Sequence, residues 1–275
     1  SLRLPAPSAA LPPLRIAFAS DFHAGPATHP RAIAEPCAIL TRLQPDLLLL
    51  GGDYVLLNAR RIEPLASLLG KVPACLGCFA VLGNHDLWAD DVPIIRRLSA
   101  AGIEVLINES RPLPPPYQHV SLCGLDDPTS GQPDVTAALC GADGVRIVLM
   151  HSPEGLELLG GQRFELALCG HTHGGQIAWP SGRPIWLPPG RWNRRYPYGR
   201  HTLDGPAAAQ LLVSRGVGYG GAAPAALLSR RGDRRHDHLG SRGLVERVKG
   251  NRSSQIQCTS ARTFGFWRAA LSLHP

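Results

Sequence analysis

No run of apolar residues in this 275-residue chain approaches the ~18 that a membrane-crossing helix needs, so no such helix is expected. No low-complexity linker divides the first 225 residues, and one large domain is expected rather than two small ones. Cysteines are few and odd in number. The seven lie at Cys37, Cys75, Cys78, Cys123, Cys140, Cys169 and Cys258, mostly in apolar segments, which reads as buried free thiols and not as a disulfide framework. Cys75 and Cys78 have CxxC spacing, but no second pair completes a zinc site, so they read as loop and strand filler. Net charge is missing from most of the chain: residues 1–229 carry 18 Lys/Arg against 18 Asp/Glu. The overall +7 comes from residues 230–275, with ten basic and three acidic side chains. Because that charge lies outside the main body, no nucleic-acid partner is expected. The chain opens at Ser1 and not at methionine, which fits a trimmed upstream signal or anchor and a cytoplasmic or membrane-associated location.

What the chain does have is a repeated pattern of short apolar runs, each ending in a polar cluster. Leu14–Ser20 runs into Asp21-Phe22-His23, and Pro45–Gly52 into Asp53. Cys78–Gly83 runs into Asn84-His85-Asp86. Val145–Met150 ends at His151, and Phe164–Gly170 at His171-Thr172-His173. The runs are short and do not alternate, as strands covered on both faces should be. Helix-like segments near residues 29–43, 60–70 and 90–101 separate the first three, and that β-α-β rhythm predicts an α/β fold. Ligands of such folds sit at the carboxyl ends of strands, where every polar cluster falls.

Imidazoles, carboxylates and an amide gathered in this way suit Mn, Fe or Zn. The candidate ligands are Asp21, His23, Asp53, Asn84, His151, His171 and His173. Seven are too many for one ion and fit two divalent ions that share a carboxylate. Ions roughly 3.5–4 Å apart can clamp a phosphoryl group and activate a bridging water.

Asp21-x-His23, Gly52-Asp53, Gly83-Asn84-His85-Asp86, His151 and Gly170-His171-x-His173 stand in the order seen in the calcineurin-like dinuclear metallophosphoesterases, which the chain resembles over about residues 14–178. The longer block Gly170–Ile177 and the later Val213–Gly218 are similar to those of the bacterial, membrane-associated YkuE-type subgroup. Some members of that subgroup hydrolyse UDP-2,3-diacylglucosamine in lipid A synthesis. The resemblance implies a four-layer α/β/β/α sandwich of two mixed sheets flanked by helices, and a phosphodiesterase or phosphatase working through a bridging hydroxide. It implies that Asp21, His23 and His173 hold one ion, that Asn84, His151 and His171 hold the other, and that Asp53 bridges them. His85 would face the phosphate or the leaving oxygen, oriented by Asp86. The reading from another class is a non-catalytic scaffold, and the complete ligand set argues against it.

Two regions carry further expectations. Trp179–Arg200 holds three tryptophans, two tyrosines and five arginines among Pro and Gly, the composition of a long loop. Trp192, Arg194 and Arg195 are its candidate substrate-binding residues, for a bulky nucleotide- or lipid-linked phosphoester, with peripheral membrane association a corollary of the lipid-linked case. Residues 1–228 should form the phosphoesterase domain. Residues 229–275 should form a poorly ordered basic tail in which only Thr263–Leu273 could become a short amphipathic helix, leaving a final sheet strand missing.

Overall fold

The computed structural model describes residues 2–5, 13–26, 28–175, 186–203, 209–218, 259–260 and 267–274. In chain order the elements are β1 (Leu2–Pro5), β2 (Leu14–Ala19), α1 (Pro30–Leu43), β3 (Leu47–Leu50), a 3-10 turn at Ala59–Arg61 running into α2 (Ile62–Leu69), β4 (Cys78–Ala80), α3 (Asn84–Ala89), α4 (Asp91–Ala100), β5 (Glu104–Val105), β6 (Glu109–Pro112), β7 (Val120–Gly124), α5 (Val135–Ala138), β8 (Val145–Leu149), α6 (Gly155–Leu159), β9 (Leu166–Cys169), α7 (Arg191–Arg195), β10 (Gly199–Thr202), β11 (Gln210–Val213), β12 (Thr259–Ser260) and β13 (Trp267–His274). They form two sheets. The first runs β1-β13-β2-β3-β4-β5, with β12 paired to β13, and the second runs β10-β11-β9-β8-β7-β6. Both are mixed. β2 through β5 are parallel while β13 lies antiparallel to β2, and in the second sheet β6 and β10 are the antiparallel edges of a parallel centre.

The apolar runs explain the layering. Side chains alternate faces along a strand. In β2 and β3, Ile16, Phe18, Leu47 and Leu49 point between the sheets, where they meet Leu122 of β7, Ile147 and Leu149 of β8 and Leu166 and Leu168 of β9. Their neighbours Ala17, Ala19, Leu48 and Leu50 point the other way, onto Ile33 and Leu40 of α1, Ile62, Leu65 and Leu69 of α2, and Ile94 and Leu98 of α4. The outer face of the second sheet, with Val148, Ala167 and Leu211, is covered by Ala138 of α5 and by Leu156 and Leu159 of α6. A run such as Leu47–Leu50 is buried at every position because each face has a partner. The result is helices, sheet, sheet, helices.

The carboxyl end departs from expectation. Trp267–His274 is a strand and not a helix, and its backbone pairs with β2 from Leu14 to Phe18. The place where a final strand was expected to be missing is therefore taken by β13, from within the basic tail. The rest of that tail, residues 219–258 and 261–266, lies outside the described residues, as do residues 176–185 of the aromatic-arginine segment. Among the described residues no helix is long and apolar enough to cross a membrane.

Candidate metal centre

The end of each central strand delivers its polar cluster to one place. Asp21 and His23 follow β2, Asp53 follows β3, Asn84 opens α3 after β4, His151 follows β8, and His171 and His173 follow β9. The turns are sharp. Asp21, His23, Asp53, His171 and His173 all have φ between 46° and 69°, the left-handed region that costs non-glycine residues about 1–3 kcal/mol each. The backbone strands also crowd together: a Cβ on Gly83 would stand 2.6 Å from the Asp53 nitrogen and 2.8 Å from Cε1 of His151. Only glycine lets the loops after β3, β4 and β8 approach so closely.

Two groups of donor atoms result, Asp21, His23, Asp53 and His173 in one and Asp53, His151 and His171 in the other. Asp53 belongs to both. Its Oδ2 lies 3.4 Å from Nε2 of His23 and 3.3 Å from Nε2 of His151, and its Oδ1 accepts the His85 backbone N–H at 2.9 Å. In the first group Nε2 of His23 is 2.9 Å from Nε2 of His173, which is 3.4 Å from Oδ1 of Asp21. In the second group Nε2 of His151 is 3.2 Å from Nδ1 of His171. Nitrogen lone pairs and carboxylate oxygens that converge like this repel one another unless a proton or a cation lies between them. Asn84 adds a second sign. Its Oδ1 is buried with no hydrogen-bond partner, a state that costs about 1–3 kcal/mol and that a cation would relieve. These donors fit divalent ions.

Outer contacts fix the rings. Nδ1 of His151 donates to the Gly51 carbonyl at 2.7 Å, which leaves Nε2 as its lone-pair nitrogen. Burial, helped by the neighbouring imidazoles, lowers the pKa of His23 well below its ordinary value, and burial with the nearby His151 lowers that of His171 to about 3. Both rings thus stay neutral and keep a lone pair. Burial would also lower His151, but the charges of Asp53, Asp21 and Asp127 outweigh it and raise that pKa well above the usual range. Burial opposes ionisation of Asp53, yet His151 and His23 hold its carboxyl well below the usual carboxylate range.

Asp86 requires a correction. It does not orient His85. Its carboxylate is fully buried and accepts four backbone N–H groups, from Asp53 (2.7 Å), Tyr54 (2.9 Å), Val55 (3.2 Å) and Gly83 (3.0 Å). It ties the loop after β3 to the start of α3. Burial and the Asp53 charge push its pKa up to about 7 against the pull of those donors. His85 is instead held by the Leu56 carbonyl, 2.6 Å from its Nδ1, and its ring meets that of His23 edge-on with centroids 4.7 Å apart. The Asp86 tie had a trace in the sequence, since an acid three residues after Gly83 matches the reach-back half of a capping box. The Leu56 carbonyl had none, because a backbone group has no residue type to read.

The aromatic-arginine segment also turns out differently. Trp192 donates from Nε1 to Glu157 of α6 at 2.6 Å, stacks on Tyr196, and packs against the outer-face cluster of the second sheet. Arg195 lies over the rings of both Trp192 and Tyr196. Where substrate contact was expected of them, these two side chains hold each other and α6, while Arg194 is exposed. The segment touches the centre through Asn193, whose Oδ1 accepts from the hydroxyl of Ser152 at 3.1 Å, one residue past His151.

The fold and the donor set define a class: an α/β protein of two facing sheets with clustered His and Asp groups able to bind metal at its strand ends. Residues 14–175 match the model of the calcineurin-like phosphoesterase family, and the chain belongs to that family. It is on that ground a metal-dependent phosphoester hydrolase. It is 32% identical over 210 residues to phosphodiesterase YaeI of Escherichia coli, covering 75% of this chain and 76% of that one. It is 32% identical over 180 residues to a zebrafish (Danio rerio) transmembrane protein with a metallophosphoesterase domain, covering 60% of this chain and 41% of that one. To the uncharacterized metallophosphoesterase YkuE of Bacillus subtilis it is 29% identical over 181 residues, covering 64% and 62%. The chain thus spans less than two thirds of the last two.

Proposed function

We propose that the protein is a phosphodiesterase with a dinuclear centre. Asp21, His23 and His173 hold one ion, Asn84, His151 and His171 the other, and Asp53 serves both. The observation that carries this reading is the position of Asp53 Oδ2, within 3.4 Å of a histidine nitrogen from each group. Divalent ions held there supply Lewis acidity and positive charge toward phosphoryl oxygens. The chain's own groups do the rest. The turns after β2, β3 and β9 aim the ligands before substrate arrives. His85, with Nδ1 committed to Leu56, keeps Nε2 to hold a proton for the leaving oxygen. The name of the Escherichia coli relative supports diester cleavage.

The test is a substrate panel with metal-loaded protein, covering bis(4-nitrophenyl) phosphate, nucleotides and a UDP-linked diacylated sugar, alongside elemental analysis. The expected result is diester cleavage with close to two ions per chain. Asp53→Asn should cost more activity than loss of any ligand that serves one ion. A folded sample that saturates at one ion or fewer removes the shared-carboxylate arrangement. The lipid-linked arm of the panel, with cosedimentation on vesicles, tests peripheral membrane association.

A further inference from the structure

His85 is bracketed by two exposed apolar side chains from different parts of the chain. Trp88, three residues on in α3, lies with its ring centroid 4.8 Å from that of His85 and is 60% exposed. Leu57, next to the Leu56 carbonyl that holds His85, is 68% exposed. Single exposed apolar residues are ordinary on a protein surface. Two that flank the same half-buried imidazole are a different matter, because that imidazole touches His23 of the metal centre. Beyond Leu57 opens a groove of about 420 Å³, floored by Ala59, Ile62, Ala89 and Pro93, with Arg60 on its wall. The series His23, His85, Trp88 leads outward from the donor cluster to this apolar surface.

We infer that Trp88 and Leu57 form the platform on which a flat, apolar ester group of the substrate rests, on the His85 side of the metal centre. This rests on the phosphodiesterase reading and adds a preference to it: diesters with an aryl or other planar group there over diesters with a small alkyl group. Trp88 offers an indole face, and stacking a planar group on it removes apolar area of both from water. The groove past Leu57 leaves room for a substituent longer than one ring.

The experiment is calorimetric titration of the metal-loaded protein with two non-hydrolysable probes, phenylphosphonate and methylphosphonate. Both present the same anion and differ only in the group that would meet the platform. The wild type should bind phenylphosphonate on the order of ten-fold more tightly, the scale of one stacked ring. Trp88→Ala should bring the ratio close to one while leaving methylphosphonate binding unchanged, and Trp88→Phe should keep most of the preference. Leu57→Ser, on the opposite flank, should reduce it by about half as many fold. A wild-type protein that binds both probes equally, or a preference that survives Trp88→Ala, overturns the platform and leaves the metal centre standing. Failure of methylphosphonate itself to bind would strike the phosphodiesterase reading, and the platform with it.

Discussion

His85 and Asp86 are adjacent in sequence and differ in what they touch. His85 is half-buried, faces the rings of His23 and Trp88, and is tied down by one carbonyl. His85→Asn should therefore leave ion binding intact and lower kcat by ~10²–10⁴, the usual span for a lost general acid. Ions bound and kcat measured in one preparation decide it, and parallel loss of both would make His85 a ligand. Asp86 meets no imidazole proton. Its four N–H donors hold the very loop that gives Asp53 its φ of 56°. Asp86→Asn places an NH₂ group against at least one pair of those donors, and each buried donor left alone costs about 1–3 kcal/mol. Melting temperature and ion affinity should fall together, even though Asp86 touches no ion. Normal ion affinity in a destabilised variant would separate the loop from the centre.

At the level of elements, what could be read in advance depended on how strongly packing constrained the residues. Runs with both faces covered were legible, so β2, β3, β4, β8 and β9 fall where the apolar stretches and their polar ends place them, and α1, α2 and α4 match the helical segments. The ligand set was legible for the same reason: imidazoles and carboxylates at buried strand ends have no packing role. Elements with weaker demands were not. β5 has two residues, and β6 carries Glu109, Ser110 and Arg111 at an edge where water covers one side. Glu157 as the partner of Trp192 depended on the position of α6, which the composition of the loop does not encode. β13 was misread because its sequence suits an amphipathic helix equally well, and a free edge on β2 decided between the two. Removing residues 259–275 should therefore raise amide hydrogen exchange in β2 by ten-fold or more, while β7 and β8 in the other sheet keep their protection. Unchanged exchange in β2 would take β13 out of the sheet.

At the level of the whole molecule, the centre draws on both sheets. Asp21, His23, Asp53 and Asn84 come from the first, and His151, His171 and His173 from the second. An ion held by this set binds only the folded chain, and at a hundred times its Kd it adds about 2.7 kcal/mol of stability. Chelation should accordingly lower the melting temperature by roughly 5–10 °C, and Mn or Zn should restore it. A melting temperature indifferent to chelator would mean that no ion joins the sheets. Asp53 hangs from one layer, and the two imidazoles of its second group hang from the other. The distance between them is therefore a caliper reading of how far apart the layers stand. A methyl group lost deep in the interior, as in Leu122→Ala, would move that reading without touching a ligand. Ion affinity should then behave as a gauge of interior spacing, and drift in the buried residues would be held in check by the site they never contact.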